Sequence, residues 1–303
     1  MTRAPAARAR FSLPALLLAA AVSSGLTAAT LRYGAGLWNR LLALSTGETD
    51  RYSVVEEARP LPGIDQNISG LTYSHATNTL FAVINRPAKV VELDRQGNVL
   101  RILPVKSGLD LEGISHVSGD LFVLASEKGN MIWAARIPST ARSVSPLSPY
   151  SLGISLNRNR NKGVEGLSWD HNGQRLFVAN EKSPLQIIEI RGLLSLLKGQ
   201  PTPLKISVWN PDFSLRNLAG DISSVSFDER SGAMNVLSHE SRRVFRFRED
   251  GRASVVLQLQ QGHHGLRRRV RQPEGIAFDP AGNLYIVAEP NLFYRFVRTA
   301  DRS

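Results

Sequence analysis

The chain of 303 residues contains no cysteine. That excludes a disulfide framework, a thiolate metal site, a thiol nucleophile and a lipid anchor on cysteine. It does not argue against export, because a domain of this size buries enough apolar surface to fold without staples. The G-x-S-x-G, P-loop and H-E-x-x-H motifs are absent as well, which removes the common signposts of serine hydrolases, nucleotide enzymes and zinc proteases.

One long apolar run stands out, Phe11 to Thr30, charge-free and rich in Leu and Ala. Arg3, Arg8 and Arg10 precede it and Arg32 closes it. Twenty helical residues at about 1.5 Å each span roughly one bilayer core. Two readings stay open: a retained single-pass anchor, or a signal peptide with residues 11–22 as its apolar core. The absence of a clean A-x-A site behind the leucines favours the anchor. Either way the arginines stay cytoplasmic and the rest is exported. Residues 1–50 are therefore stub, anchor or signal, and linker, and residues 51–303 are the exported domain. The expected location is the inner membrane with the domain in the periplasm, or the periplasm or exterior after cleavage.

Acidic residues are in deficit: 26 Asp and Glu face 37 Lys and Arg, for a net charge of +11. Residues 1–50 hold a surplus of three, so the remainder keeps +8. The excess concentrates in Arg158–Lys162 and in Arg267, Arg268, Arg269 and Arg271. An exported basic domain suits an anionic ligand or an envelope protein, or these are simply solvated loops. Nucleic acid is not an expected partner, since no recognition motif is present and the compartment is wrong.

What the chain does have is a repeat. A short strand-like run opens five times with one pattern, at Asn67–Tyr73, Asp110–His116, Gly163–Trp169, Asp221–Phe227 and Gln272–Phe278. Each is followed by an apolar run ending in a polar residue: Asn85, Glu127, Glu181, Glu240 and Glu289. The third residue of the opening pattern (Ser69, Glu112, Glu165, Ser223, Glu274) recurs at intervals of 43, 53, 58 and 51 residues. That is room for four short strands and a loop, the spacing of a radial β architecture. The last unit lacks a strand, and Tyr52–Ala58 can supply it and close the ring. The expectation is an all-β propeller of five four-stranded blades. Residues 138–162 and 192–203 read as excursions between outer strands, with a short helix at Gly192–Lys198.

The segments N-I-S-G-L-T-Y, V-E-G-L-S-W, V-L-S-H-E-S-R and P-E-G-I-A-F-D-P-A-G-N-L-Y-I-V-A-E-P-N resemble the SdiA-regulated (YjiK-like) family across nearly all of residues 52–298. The resemblance implies a five-bladed propeller distantly related to NHL-repeat propellers, with a calcium site and no established biochemical activity.

In a propeller the first strand of each blade lines the central channel and the second returns. The marker residues and the terminal polar residues, 15 to 17 apart, therefore meet at one mouth as two polar rings. The first holds Glu112, Glu165 and Glu274, with Asp110 and Asp221 two residues before their markers. The second holds Asn85, Glu127, Glu181, Glu240 and Glu289. Converging carboxylates need shared protons, arginine partners or a cation. Oxygen donors without cysteine favour calcium; zinc would want histidine or thiolate, and His239 is the one obvious contributor. Alternatively each Glu-Gly pair is a fold determinant, its carboxylate satisfied by backbone and its glycine permitting close packing. With the resemblance added, calcium bound by Glu112, Glu165, Asp221 and Glu274 is the expectation. The loop before the last blade enters from the same face, so His263, Arg267 and Arg271 are ligand-facing candidates beside Asn85 and His239. His75 reads as a turn residue and His116 as a strand end. Two functions follow: a calcium-binding, envelope-tethered module for a ligand or protein, or a metal-dependent hydrolase of an ester, lactone or phosphoester. If the protein is an enzyme, it is the latter.

Overall fold

Short runs of β-branched and aromatic residues, broken by turns that hold Asn or Gly at positive φ such as Asn78 and Gly97, set the local structure. The computed structural model describes residues 52–105, 109–147, 149–154, 163–181, 184–209, 215–249 and 253–299. The first strand, β1 (Tyr52–Pro60), belongs to the last blade. Blade one is β2 (Ile68–Ser74), β3 (Thr79–Ile84), β4 (Lys89–Leu93) and β5 (Val99–Pro104). Blade two is β6 (Leu111–Ser118), β7 (Leu121–Ser126), β8 (Met131–Arg136) and the two-residue β9 (Leu152–Gly153). Blade three is β10 (Val164–Asp170), β11 (Arg175–Asn180), β12 (Gln186–Arg191) and β13 (Lys205–Trp209). Blade four is β14 (Ser224–Asp228), β15 (Ala233–Ser238), β16 (Arg243–Phe247) and β17 (Ala253–Gln258). Blade five is β18 (Pro273–Phe278), β19 (Leu284–Ala288), β20 (Leu292–Arg298) and β1. Each blade is an antiparallel four-stranded sheet, and β2, β6, β10, β14 and β18 contact one another in a closed cycle.

The repeat pattern has a packing reason. Its glycine sits where one blade's inner strand presses on the next. A Cβ on Gly70 would lie 2.7 Å from the Glu112 carbonyl oxygen, and one on Gly166 would lie 3.0 Å from Ser224 Cα. On Gly275 it would lie 2.8 Å from the Leu71 nitrogen and 2.6 Å from Val287 Cγ2. In blade four Ser224 replaces the glycine, and its hydroxyl accepts the Ile276 N–H at 3.4 Å. Two residues after the glycine comes a hydroxyl that also crosses between blades. Thr72 accepts the His116 N–H at 3.2 Å, Ser115 that of Trp169 at 2.8 Å, and Ser168 that of Phe227 at 2.8 Å. These bonds satisfy backbone donors that no sheet ladder reaches. Apolar clusters fill the wedges between blades: Phe81 and Phe122 lie 4.6 Å apart across blades one and two, and Phe177 and Phe227 4.9 Å apart across blades three and four. Burying such a ring contributes about 1.5–3 kcal/mol.

Closure is by β1, which pairs antiparallel with β20 from Tyr52↔Arg298 to Pro60↔Leu292 with two register shifts. The loop before β18 fastens it. Glu57 accepts the Arg267 and Arg268 N–H groups and the Arg267 guanidinium, all at 2.9 Å. The His264 carbonyl accepts the Val54 N–H at 2.8 Å. The expected short helix is α1 (Leu193–Leu197), entered from Gly192 in the left-handed region at φ 83°. A second, α2 (Leu215–Leu218), precedes β14. The first excursion differs from expectation in one respect: β9 interrupts it, so residues 137–151 join β8 to β9. Residues 11–30 and 158–162 lie outside the described residues, and among those described no helix is long and apolar enough to cross a membrane.

Gly275→Ala should cost about 1–3 kcal/mol by overpacking, because the clash includes Leu71 backbone. Gly113→Ala, whose nearest neighbour is the Leu167 side chain at 2.9 Å, should cost less. Urea melts of the two variants measure the order, and the reverse order would show that inner-strand contact does not set the spacing.

Candidate functional site

Glu112, Glu165 and Glu274 share a local device. In each of β6, β10 and β18 the pairing register jumps across the glutamate: Leu111 and Gly113 pair with Ser126 and Ala125, Val164 and Gly166 with Asn180 and Ala179, and Pro273 and Gly275 with Ala288 and Val287. The glutamate is the extra residue of a β-bulge, which re-aims its side chain out of the ladder. All three project into one cavity of ≈ 220 Å³, joined by Ser69 and Ser223 from the other two blades. Asp221, Asn85, Glu181, Glu289 and His239 complete the polar wall. The four expected metal-site carboxylates thus face one space. Glu127 and Glu240 do not line it, although Glu127 stays close: carboxylate oxygens of Asp110, Glu112 and Glu127 lie within 4.8 Å of one another.

Two aspartates are already engaged. The Arg86 guanidinium forks onto Asp110, with Nε 3.1 Å from Oδ1 and a second, shorter contact to Oδ2. Asp221 Oδ1 accepts the Ser238 hydroxyl at 2.6 Å and the Glu240 N–H at 3.1 Å, tying the turn after β15. Glu112 accepts from Ser69 Oγ at 2.8 Å and from Asn85 Nδ2 at 3.1 Å. Glu165 and Glu274 accept no hydrogen bond among the described residues. Asn85 Oδ1 is buried and has no donor.

Burial pushes the Glu112 carboxyl up to about 7, against the pull of its Ser69 and Asn85 bonds and with Asp110 and Glu127 adding to the rise. Burial, then Glu289 and Glu112, push Glu274 up to about 8. Glu165 is raised well above the carboxylate range by burial and then by four neighbouring glutamates, Glu112 first. The chemistry is therefore a set of carboxyls that hold protons near neutrality, or lose them to solvent when a cation takes their place.

The loop residues proposed as ligand-facing are elsewhere. Arg267 is bound to Glu57 on β1, and neither it nor His263 or Arg271 lines the cavity. For Arg267 the physical reason is the closing strand: Glu57 on β1 accepts both its backbone N–H and its guanidinium.

The far ends of the inner strands form a second cavity of ≈ 300 Å³ that shares no lining residue with the first. It brings together His75, His116, His171 and Glu229. Burial, then His171, lower His75; burial pushes His116 down to about 4 against its bond to the Gly119 carbonyl. His171 and Glu229 were not legible as site residues, but both fall six residues after their repeat markers, as His75 does.

Among solved structures, a Myxococcus xanthus glutaminyl cyclase superposes with a TM-score of 0.53 at 10% identity, over 82% of this chain and 97% of that one. A structural-genomics protein of unknown function from Bacteroides thetaiotaomicron gives 0.50 at 12%, over 78% and 58%. A Xanthomonas campestris gluconolactonase gives 0.46 at 14%, over 81% and 97%. At these identities the likeness concerns the fold. A family model described as SdiA-regulated matches residues 45–297, which include all five blades and every carboxylate of the cavity, and the chain belongs to that family.

Proposed function

We propose that this protein is a calcium-binding propeller, held at the cell envelope by its N-terminal segment, that presents the carboxylate mouth as a binding site for a ligand or protein. The observation that carries it is the pairing of two carboxylates that accept no hydrogen bond among the described residues, Glu165 and Glu274, with the orphaned buried Asn85 Oδ1 in one cavity. Calcium accepts about six to eight oxygens at flexible geometry, and the wall offers oxygens almost exclusively. Glu112, Glu165 and Glu274 would hold the ion, with Asn85 Oδ1 and Asp221 beside them. Bound there, it would supply the positive charge that lets the glutamates ionise together. His239 on the same wall favours a second reading, a metal-dependent hydrolase, in which the imidazole would stand beside the cation as base. A panel of esters, lactones and phosphoesters with and without chelator separates the two: chelator-sensitive turnover supports the hydrolase.

Calcium added to chelator-stripped protein should raise its melting temperature by mass action, on the order of 2.7 kcal/mol at a hundredfold excess over Kd. Glu165→Gln with Glu274→Gln should abolish that gain. A wild-type melting curve unmoved by calcium overturns the site.

The metal-free protein should also show a set pH slope. Glu112 and Glu274 have folded-state values raised to about 7 and about 8, so the folded chain holds protons that the unfolded chain has released. That stabilisation is complete below about pH 4 and is lost as pH rises through about 7 and 8. For Glu112 it is on the order of 3 kcal/mol. Stability measured in chelator from pH 5 to 8.5 should fall, and Glu112→Gln with Glu274→Gln should flatten the curve; a rise with pH contradicts the assignment.

The tether is checked by fusing residues 1–50 to a reporter active only outside the cytoplasm. Signal in the membrane fraction supports the anchor, signal in the soluble periplasm supports a cleaved peptide, and cytoplasmic retention refutes export.

A further inference from the structure

At the mouth opposite the carboxylates, three imidazoles from blades one, two and three gather. Ring centres lie 5.4 Å apart for His75–His171, 6.0 Å for His116–His171 and 6.3 Å for His75–His116. Two of the rings are oriented in the same unusual way. His171 Nδ1 lies 2.5 Å from Glu229 Oε1, which also accepts the His171 backbone N–H at 2.6 Å. Its Nε2 is buried and has no partner. His116, only 3% exposed, has Nε2 3.1 Å from the Gly119 carbonyl oxygen, and its Nδ1 is buried without a partner. A histidine that serves packing alone has no need to leave a buried nitrogen unsatisfied. One nitrogen held by a carboxylate or carbonyl while the other stays free is the arrangement of a metal-ligating imidazole.

We propose that His75, His116 and His171 form a binding site for a late first-row transition-metal ion, zinc in the first instance, distinct from the carboxylate mouth. Imidazoles that share one ion at about 2.0–2.1 Å place their ring centres about 5 Å apart. The observed ring spacing is wider, and these imidazoles do not bring one nitrogen each within 4.8 Å of the others as the Asp110, Glu112 and Glu127 oxygens do; His75, exposed at the rim, has to turn inward for the three to share an ion. Glu229 fixes the His171 tautomer by accepting a hydrogen bond from its Nδ1–H, which leaves the Nε2 lone pair free. Neutral imidazoles suit zinc, copper and nickel, whereas the oxygen-rich mouth suits calcium. Three protein donors would leave a coordination position for a water or a substrate oxygen, and all three histidines line the ≈ 300 Å³ cavity.

The test uses the full chain, stripped with chelator and titrated with zinc against a chromophoric competitor. One tight site per chain is expected, unmoved by excess calcium and retained in Glu112→Gln with Glu274→Gln. Cobalt in place of zinc should give the intense visible absorption of a four-coordinate nitrogen site. His171→Ala should weaken zinc binding by about 100-fold or more, and Glu229→Ala by about 10–100-fold. If His171→Ala does not fold, His75→Ala at the exposed rim gives the same reading. Absence of tight zinc binding by the wild type, zinc binding unchanged in His75→Ala and His171→Ala, or its loss in the glutamate double variant instead would each overturn the site. None of these outcomes depends on whether calcium binds the other mouth.

Discussion

Five backbones converge on one axis, and the distance at which neighbouring inner strands touch governs the rest of the molecule. Where the repeat glycine stands, a single added carbon would meet the next blade's backbone at under 3 Å in blades one and five. Such contact leaves N–H groups facing the neighbouring blade, and the hydroxyls of Thr72, Ser115 and Ser168 answer them. The glutamate before the glycine has no place in a ladder this tight and leaves it as a bulge. The crowded carboxyls at the mouth are thus a by-product of the way the blades approach, and their raised proton affinities follow from it. A packing rule and a chemical site are written in the same two residues.

The two ends of the axis differ in donor chemistry. One gathers carboxyl oxygens, the other imidazole nitrogens, and Leu71, Leu167, Val225 and Ile276 lie between them on the wall of the second cavity. Oxygen donors suit hard cations and imidazole nitrogens suit borderline ones, so the two ends offer different coordination chemistry.

Much of this was legible in the residues, for reasons that differ by feature. The blades declared themselves through the repeat marker and its spacing. Closure by Tyr52–Ala58 followed from counting strands in the last unit. The convergence of Glu112, Glu165, Asp221 and Glu274 followed from register alone. The Arg267 loop was misplaced because its partner, Glu57, is 210 residues away and no local signal joins them. The histidine cluster was missed because His75 and His171 stand six residues after their markers and His116 only four, so they share no single register. Their meeting depends on strand ends and on the turn at Gly119, which the period-two pattern does not describe.

The seam between β1 and β20 imposes an order of assembly. Tyr52 pairs with Arg298, so the strand that leaves the ribosome first in this domain has its partner in the segment that leaves last. Until then the ring is an open arc with two bare edges, and blade five has three strands. Blades one to four can form as local hairpins on the growing chain, but the final join spans nearly the whole domain and carries the highest loop-closure cost. A cell making this protein must keep that arc from pairing with others until synthesis is complete.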